Sequence, residues 1–479
     1  MATLRMHEPR FNHLRSIAIL TAALAITVAG TASSWSPELF GTNPARPAAP
    51  PAPTTLPALS DVPVTIPGAG AVLPAPGSVA QLDHNIAAWS RNLEANPQDF
   101  LSATNLATLY HARARLTADL ADHQRALEAA RVAIQIAPNQ TAARALEAAI
   151  LYSLHDFHGA FAAADRLVTD DPTQFGALAT RADASLELGN LDAARADLAT
   201  LVAKAPSPAV DVRRARLAEV TGDLNGAVAL AAAARDSVIA NGSDAGFYEY
   251  ALAEYQRNAG MTSAAGTGYA AAVQLRASDL GALLGLARIQ AFNGDLGAAI
   301  TTLESATAIA PTPEAEALLG DLLTSLNAPG DPAAARAAYG TVRLTRTLSS
   351  LAGSVYDRTL IRFELDHGGA TPAIVDQARS ALIDRSDFGA HDLLAWALYR
   401  TDAVNEAWTE ISTAMSTGAA DARTLFHAGA IAAARGDLAA ARGWLHRAVD
   451  LGPALDPLER AEALGLLANV AGSVPSGTR

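Results

Sequence analysis

The sequence predicts an all-α solenoid of about ten helix–turn–helix repeats, and three periodic signals carry that prediction. Alanine returns at Ala126, Ala160, Ala194, Ala227, Ala265, Ala299, Ala335, Ala373, Ala407 and Ala441, with gaps of 34, 34, 33, 38, 34, 36, 38, 34 and 34 residues. Five residues before the alanine stands a turn-former in Gly189, Gly222, Gly260, Gly294, Gly330, Gly368 and Gly436. Twelve residues after it comes Pro138, Pro172, Pro206, Pro311 or Pro453. Self-similarity at a fixed period of this length is the mark of a repeat array.

At the N-terminus a basic stretch, residues 1–15 with Arg5, Arg10 and Arg15, precedes an uncharged segment at 16–35. Its apolar part, Ile17 to Ala29, has the length of a signal-peptide core, and continued to Trp35 it reaches roughly the 20 residues needed to span a bilayer. Arginines on the leading side keep the start cytoplasmic and send the rest outward. We therefore expect an N-terminal signal anchor that tethers the protein to the cytoplasmic membrane and displays the repeats outside it. The alternative is a cleaved signal with secretion, Gly30-Thr31-Ala32 being the available cleavage site. Residues 36–78 follow as a linker, with eleven prolines between Pro37 and Pro76 among Ala, Thr and Gly. Such a composition cannot assemble a packed core. At ~3.1 Å per residue in polyproline geometry it would reach roughly 120 Å.

The solenoid is expected over 79–453. Leu82, Ile86, Trp89 and Leu93 form a helical stripe ending at Pro97, an opening helix. Each unit then reads as two helices about a turn. In the segment from Leu178 to Pro206, the first helix stops at Gly189-Asn190, a pair that tolerates positive φ. The second stops at Pro206, whose ring cannot extend a helix. Seven residues before the turn sits a small residue: Ala148, Ala182, Ala215, Ala253, Ala287, Ala395 or Gly429. Narrow side chains there and at the recurring alanine let antiparallel helices approach closely. Leu198, Tyr269, Leu303, Tyr339, Ile411 and Leu445 fill the space against the neighbouring unit. A hairpin cannot bury both its faces alone, so stability requires stacking.

This pattern resembles the tetratricopeptide repeat, best in Thr141–Pro172, Phe175–Pro206, Leu280–Pro311 and Asp421–Pro453, and covers roughly residues 97 to 453. The resemblance implies a right-handed superhelix whose inner groove holds extended peptides or partner helices. Departures are Leu323 and Ile361 at the small slot, about seven extra residues before Ala126, and longer connections at Asn241-Gly242-Ser243 and at 345–350. The lysine-and-asparagine carboxylate clamp of chaperone-binding members is not matched. After the last repeat, Asp456-Pro457-Leu458-Glu459 reads as N-cap, first-turn proline and capping-box glutamate. It opens a capping helix over 456–471, before a flexible tail at 472–479.

Composition narrows the function. Net charge is −13 (35 basic against 48 acidic residues), which argues against nucleic acid as a general partner. Cysteine is absent, so neither disulfides nor thiolate metal sites are available. No nucleophile–base set, phosphate loop or metal spacing stands out, and neither a cofactor nor an enzymatic activity is expected. His155, Asp156 and His158 lack a third ligand and read as a polar turn. Arg435-Gly436-Asp437 spells an adhesion tripeptide, yet in frame it is an interhelix turn like Thr221-Gly222-Asp223 and Asn293-Gly294-Asp295.

The chemistry falls instead on a stripe of the first helices, ten, six and three residues before each turn. The stripe contains Asp183, Arg216, Tyr250, Glu254, Arg257, Arg288, Arg358, Arg362, Trp396 and Tyr399. By the resemblance it lines the groove. Its five arginines suggest a locally basic surface that would grip carboxylates bidentately, with Trp396 and Tyr399 as amphipathic anchors. The expected function is a non-enzymatic protein–protein interaction scaffold that binds a protein or peptide partner of acidic character. The alternatives are a self-associating structural component of the envelope, or a recruiting or regulatory subunit of an envelope enzyme complex.

Overall fold

The computed structural model describes residues 79–472 apart from 118, 242–244 and 352–357. The expected basic start, signal anchor, linker and tail after Gly472 lie outside the described residues, as does most of the Asn241-Gly242-Ser243 connection. No helix among the described residues is long and apolar enough to cross a membrane. They form twenty-two α-helices in consecutive repeats, with no strand.

An opening helix α1 (Val79–Ala95) precedes ten helix pairs. The first five are α2 (Phe100–Thr117) with α3 (Leu120–Ile136), α4 (Thr141–Ser153) with α5 (Phe157–Asp170), α6 (Phe175–Glu187) with α7 (Leu191–Lys204), α8 (Pro208–Val220) with α9 (Leu224–Ala240), and α10 (Gly246–Asn258) with α11 (Thr262–Leu275). The next five are α12 (Leu280–Phe292) with α13 (Leu296–Ile309), α14 (Pro313–Leu326) with α15 (Asp331–Leu351), α16 (Arg358–Asp366) with α17 (Pro372–Asp384), α18 (Phe388–Arg400) with α19 (Val404–Ser416), and α20 (Ala422–Ala434) with α21 (Leu438–Asp450). A short 3₁₀ turn, Gly452–Ala454, leads into α22 (Pro457–Gly472).

Local chemistry explains these boundaries. Helices α3, α5, α7 and α13 each stop two residues before the proline at 138, 172, 206 or 311. The turn glycines hold positive φ, and where a unit lacks one, His155 (φ 61°) and Asp402 (φ 62°) take the same left-handed slot. Aspartates then restart the chain: Asp156, Asp223, Asp295 and Asp437 each accept the N–H three residues on, satisfying an orphan donor. The polar-turn readings of the His155 and Arg435 segments thus have a concrete basis. At α22, Glu459 Oε2 accepts the Asp456 N–H at 3.1 Å, the returning half of a capping box.

The packing slots are filled as their side-chain sizes demand. Ala148, Ala182, Ala215, Ala253, Ala287 and Ala395 are inaccessible, and a side chain on Gly429 would strike Leu445 Cγ at 2.6 Å. Nine of the ten recurring alanines are buried. The exception is Ala373, which is exposed. In α17 the buried positions are Ile374, Val375, Ala378 and Ala381, so the frame there is displaced by one residue and Ile374 takes the alanine's place. Leu323 fits its slot because Gly320, one turn earlier, gives way to the ring of Tyr339. The stretch 345–350, read as a longer connection, instead continues α15 to Leu351.

The array does not end as an open rod. Arg385 pairs with Glu187, and Ser386 Oγ donates to the Leu188 carbonyl at 2.9 Å, 198 residues away in sequence. Gly222 lies directly against Gly418, Gly260 against Leu451, and the Phe292 ring lies under Arg460 at 5.0 Å. Turns within the units of α6–α13 therefore meet the connections flanking α18, α20 and α22. The chain coils until its last third closes over its middle.

Candidate functional site

That closure turns the inner stripe into the wall of a chamber of about 260 Å³. One wall comes from α8, α10 and α12, whose stripe positions Arg216, Glu219, Tyr250, Glu254, Arg257, Leu284 and Arg288 all line it. The facing wall is built from Phe388, from Asp421, Ala422 and Arg423 at the start of α20, and from Ala454 and Asp456 before α22. Residues at intervals of three and four share one helix face, so successive first helices deliver their polar side chains to one interior.

Every arginine on this lining has carboxylates beside it. Arg216 Nη1 donates to Glu219 Oε2 at 2.6 Å, and Asn258 Nδ2 donates to the other Glu219 oxygen at 2.6 Å. Arg257 donates to Glu254 at 3.1 Å and reaches the Pro453 and Ala454 carbonyls across the chamber at 3.4 Å. Tyr269 Oη donates to the second Glu254 oxygen at 2.5 Å. Arg288 joins Asp456 and Glu314, both at 2.7 Å, and Arg423 pairs with Glu459. Burial opposes ionisation of Asp456, but the Arg288 guanidinium outweighs it and holds that carboxyl well below the usual range. Burial likewise opposes ionisation of Glu254, and Arg257 first, then the Tyr269 hydroxyl, bring its pKa down.

The expectation of a basic groove is therefore corrected. Four of its five arginines are neutralised: Arg216, Arg257 and Arg288 as above, and Arg358 by Asp387 at the N-cap of α18. Asp387 and Asp456 come from distant segments, so a reading of one helix stripe cannot place them. Arg362 differs, since its Nε is buried with no hydrogen-bond partner and burial, followed by the Arg423 charge, lowers its pKa.

Trp396 is not an offered anchor, because it is fully buried. Its ring stacks on His427 at 4.0 Å and on Tyr399 at 5.1 Å, its Nε1 donates to Asp366 at 3.0 Å, and Arg400 covers it at 4.3 Å. Tyr399 is half-buried against the same core. Asp183, also on the stripe, is buried in an ion pair with Arg213 at 2.9 Å, and burial raises its pKa to about 7 despite that arginine. The stripe thus divides. Its stretch in α8, α10 and α12 faces the chamber, whereas in α18 it is absorbed into packing between units.

No protein-family model matches the chain, and no curated protein matches it. Among solved structures it is similar to the human IFIT1 dimer with PPP-AAAA, at 15% identity over 78% of this chain and 87% of that one, TM-score 0.42. It is also similar to PilW, described as a widely conserved type IV pilus biogenesis factor, at 16% identity over 43% and 91%, TM-score 0.35. A tetratricopeptide repeat protein from Parabacteroides merdae matches at 18% identity over 54% and 98%, TM-score 0.31. These likenesses concern helical-repeat architecture, and the assignment of sites rests on the residues of this chain.

Proposed function

We propose that the protein is a non-enzymatic scaffold that holds a segment of a partner protein at the inner face of its helical array. One observation supports this reading above others: side chains from at least six first helices and connections converge on one polar chamber where each arginine meets a carboxylate. Paired arginines and carboxylates recognise a partner by exchange, with one intramolecular partner replaced by an intermolecular one of the same charge. Arg216 is the natural entry point, since 38% of its side chain is accessible while it still contacts Glu219.

The same reading places the array outside the cytoplasmic membrane, tethered through residues 16–35. Support comes from the arginines before that segment and the proline-rich stretch after it. Blotting membrane, medium and soluble fractions for a C-terminal tag tests this, and a purely soluble interior pool would refute it.

The scaffold reading is tested by photo-crosslinking in native cells. A photoreactive residue at position 216 or 250 should capture the same protein repeatedly, whereas one at the exposed outer position Thr301 should not. Capture from the outer position alone would refute the inner-face assignment.

A further inference from the structure

The last helix and its N-cap residue carry carboxylates at 456, 459 and 462, three residues apart and so on one helical face. Arginines from three different first helices take them. Asp456 is held by Arg288 of α12 at 2.7 Å, Glu459 by Arg423 of α20, and Glu462 by Arg400 of α18 at 2.6 Å. Arg362 of α16 feels the Glu459 charge as well, and its buried Nε still lacks a hydrogen-bond partner. Helix α22 packs on α21 and α20 as a cap of the final repeat does, but its ion pairs reach further. They bind it to helices spread over half the array.

Its apolar anchoring is that of an outer helix of the array. Helix α22 buries Glu459, Ala463 and Val470 and packs Leu466 and Leu467 against the core of the last units, much as the outer helices α19 and α21 do, whereas α20 buries ten of thirteen residues. Leu458 and Leu464 are exposed. Arginine–carboxylate pairs add to this apolar contact, and each can be replaced by a carboxylate of the same geometry from another molecule.

We propose that α22 is an internal occupant of the partner-binding face, and that the partner is an acidic helix presenting carboxylates three residues apart to Arg288, Arg400 and Arg423. This rests on the inner-face reading above and specifies its ligand. Because α22 is tethered, it competes at an effective concentration in the millimolar range. The free chain therefore binds its partner more weakly than the bare arginine face would, in proportion to the fraction of chains with α22 released.

The test uses the full chain and a labelled peptide of sequence 455–472. Glu459→Gln/Glu462→Gln keeps the capping geometry while removing two ion pairs. This variant should bind the peptide at least about tenfold more tightly than the parent chain, from the release of competition. Adding Arg400→Gln and Arg423→Gln should abolish the gain, as should glutamines at 459 and 462 of the peptide. Equal binding to parent and variant, or to neither, with unchanged circular dichroism, overturns the proposal. Should the variant lose helix content, amide exchange in the parent chain decides. Exchange in α22 should be faster than in α20, and exchange as slow as that of α20 overturns the proposal. A positive peptide result with no protein captured from position 216 would remove the scaffold reading and leave the displaceable helix. The converse result would do the opposite.

Discussion

Ala441 and Ala373 occupy equivalent slots in the sequence pattern, yet only Ala441 is buried. The first lies in the narrow space between α20 and α21, where added carbons have nowhere to go. Ala441→Leu should overpack the pair and cost about 1–3 kcal/mol. Ala373→Leu adds carbons toward water and should stay within about 0.5 kcal/mol. Urea melts of the two variants check this, and equal effects would show that the displaced frame in α17 is wrong. The same one-residue displacement shows why periodicity alone misplaces a slot. Alanine is so frequent here that one can stand beside the true position, and only burial distinguishes Ala373 from Ile374.

The hairpin of α2 and α3 contains a titratable pair that the sequence pattern does not reveal. The rings of His111 and His123 meet edge to face at 5.3 Å, and the Nδ1 of each is buried without a partner. Burial, then the neighbouring histidine and Arg115, push His111 well below its usual pKa. Burial and Arg115 bring His123 to about 4, against the opposing pull of Asp122. In the unfolded hairpin both imidazoles take a proton near 6.5. Between about pH 6.5 and 4 the unfolded form therefore binds more protons, and the hairpin loses stability as pH falls through that window. Above 6.5 its contribution is intact. Hydrogen exchange, corrected for intrinsic rates, should show α2 and α3 losing protection at pH 5 relative to α20, and His123→Leu should reduce that loss. Equal changes in all three helices would refute the local origin.

Closure of the whole array depends on glycines that look interchangeable along the chain. Gly222 and Gly294 both sit at φ 87°, so an alanine meets the same backbone strain at either, roughly 1–2 kcal/mol. Their surroundings differ. At Gly294 a side chain would meet open space, whereas at Gly222 it would overlap the Gly418 carbonyl oxygen across the seam. Gly222→Ala should therefore open the coil and increase the radius of gyration in solution scattering, while Gly294→Ala should leave it unchanged. An identical radius for both variants would show that the seam does not hold the coil closed.

The repeat architecture was legible because its causes are local. A left-handed turn slot, a proline stop and two narrow slots per unit can each be read within one 34-residue window, and the structure places helix pairs accordingly. The inner stripe was legible for the same reason, since helical spacing alone brings Arg216, Tyr250, Glu254, Arg257 and Arg288 to one face. What those residues meet from distant parts of the chain was not legible. Asp456 reaches Arg288 from 168 positions away, and Glu187 meets Arg385 across 198. The curvature that brings them together is the sum of small rotations between successive units, a quantity that no single window contains. Tertiary structure alone decided that Arg288 and Arg358 would be neutralised from other helices, that Trp396 would be buried, and that the carboxylates of the final helix would meet arginines of α12, α18 and α20.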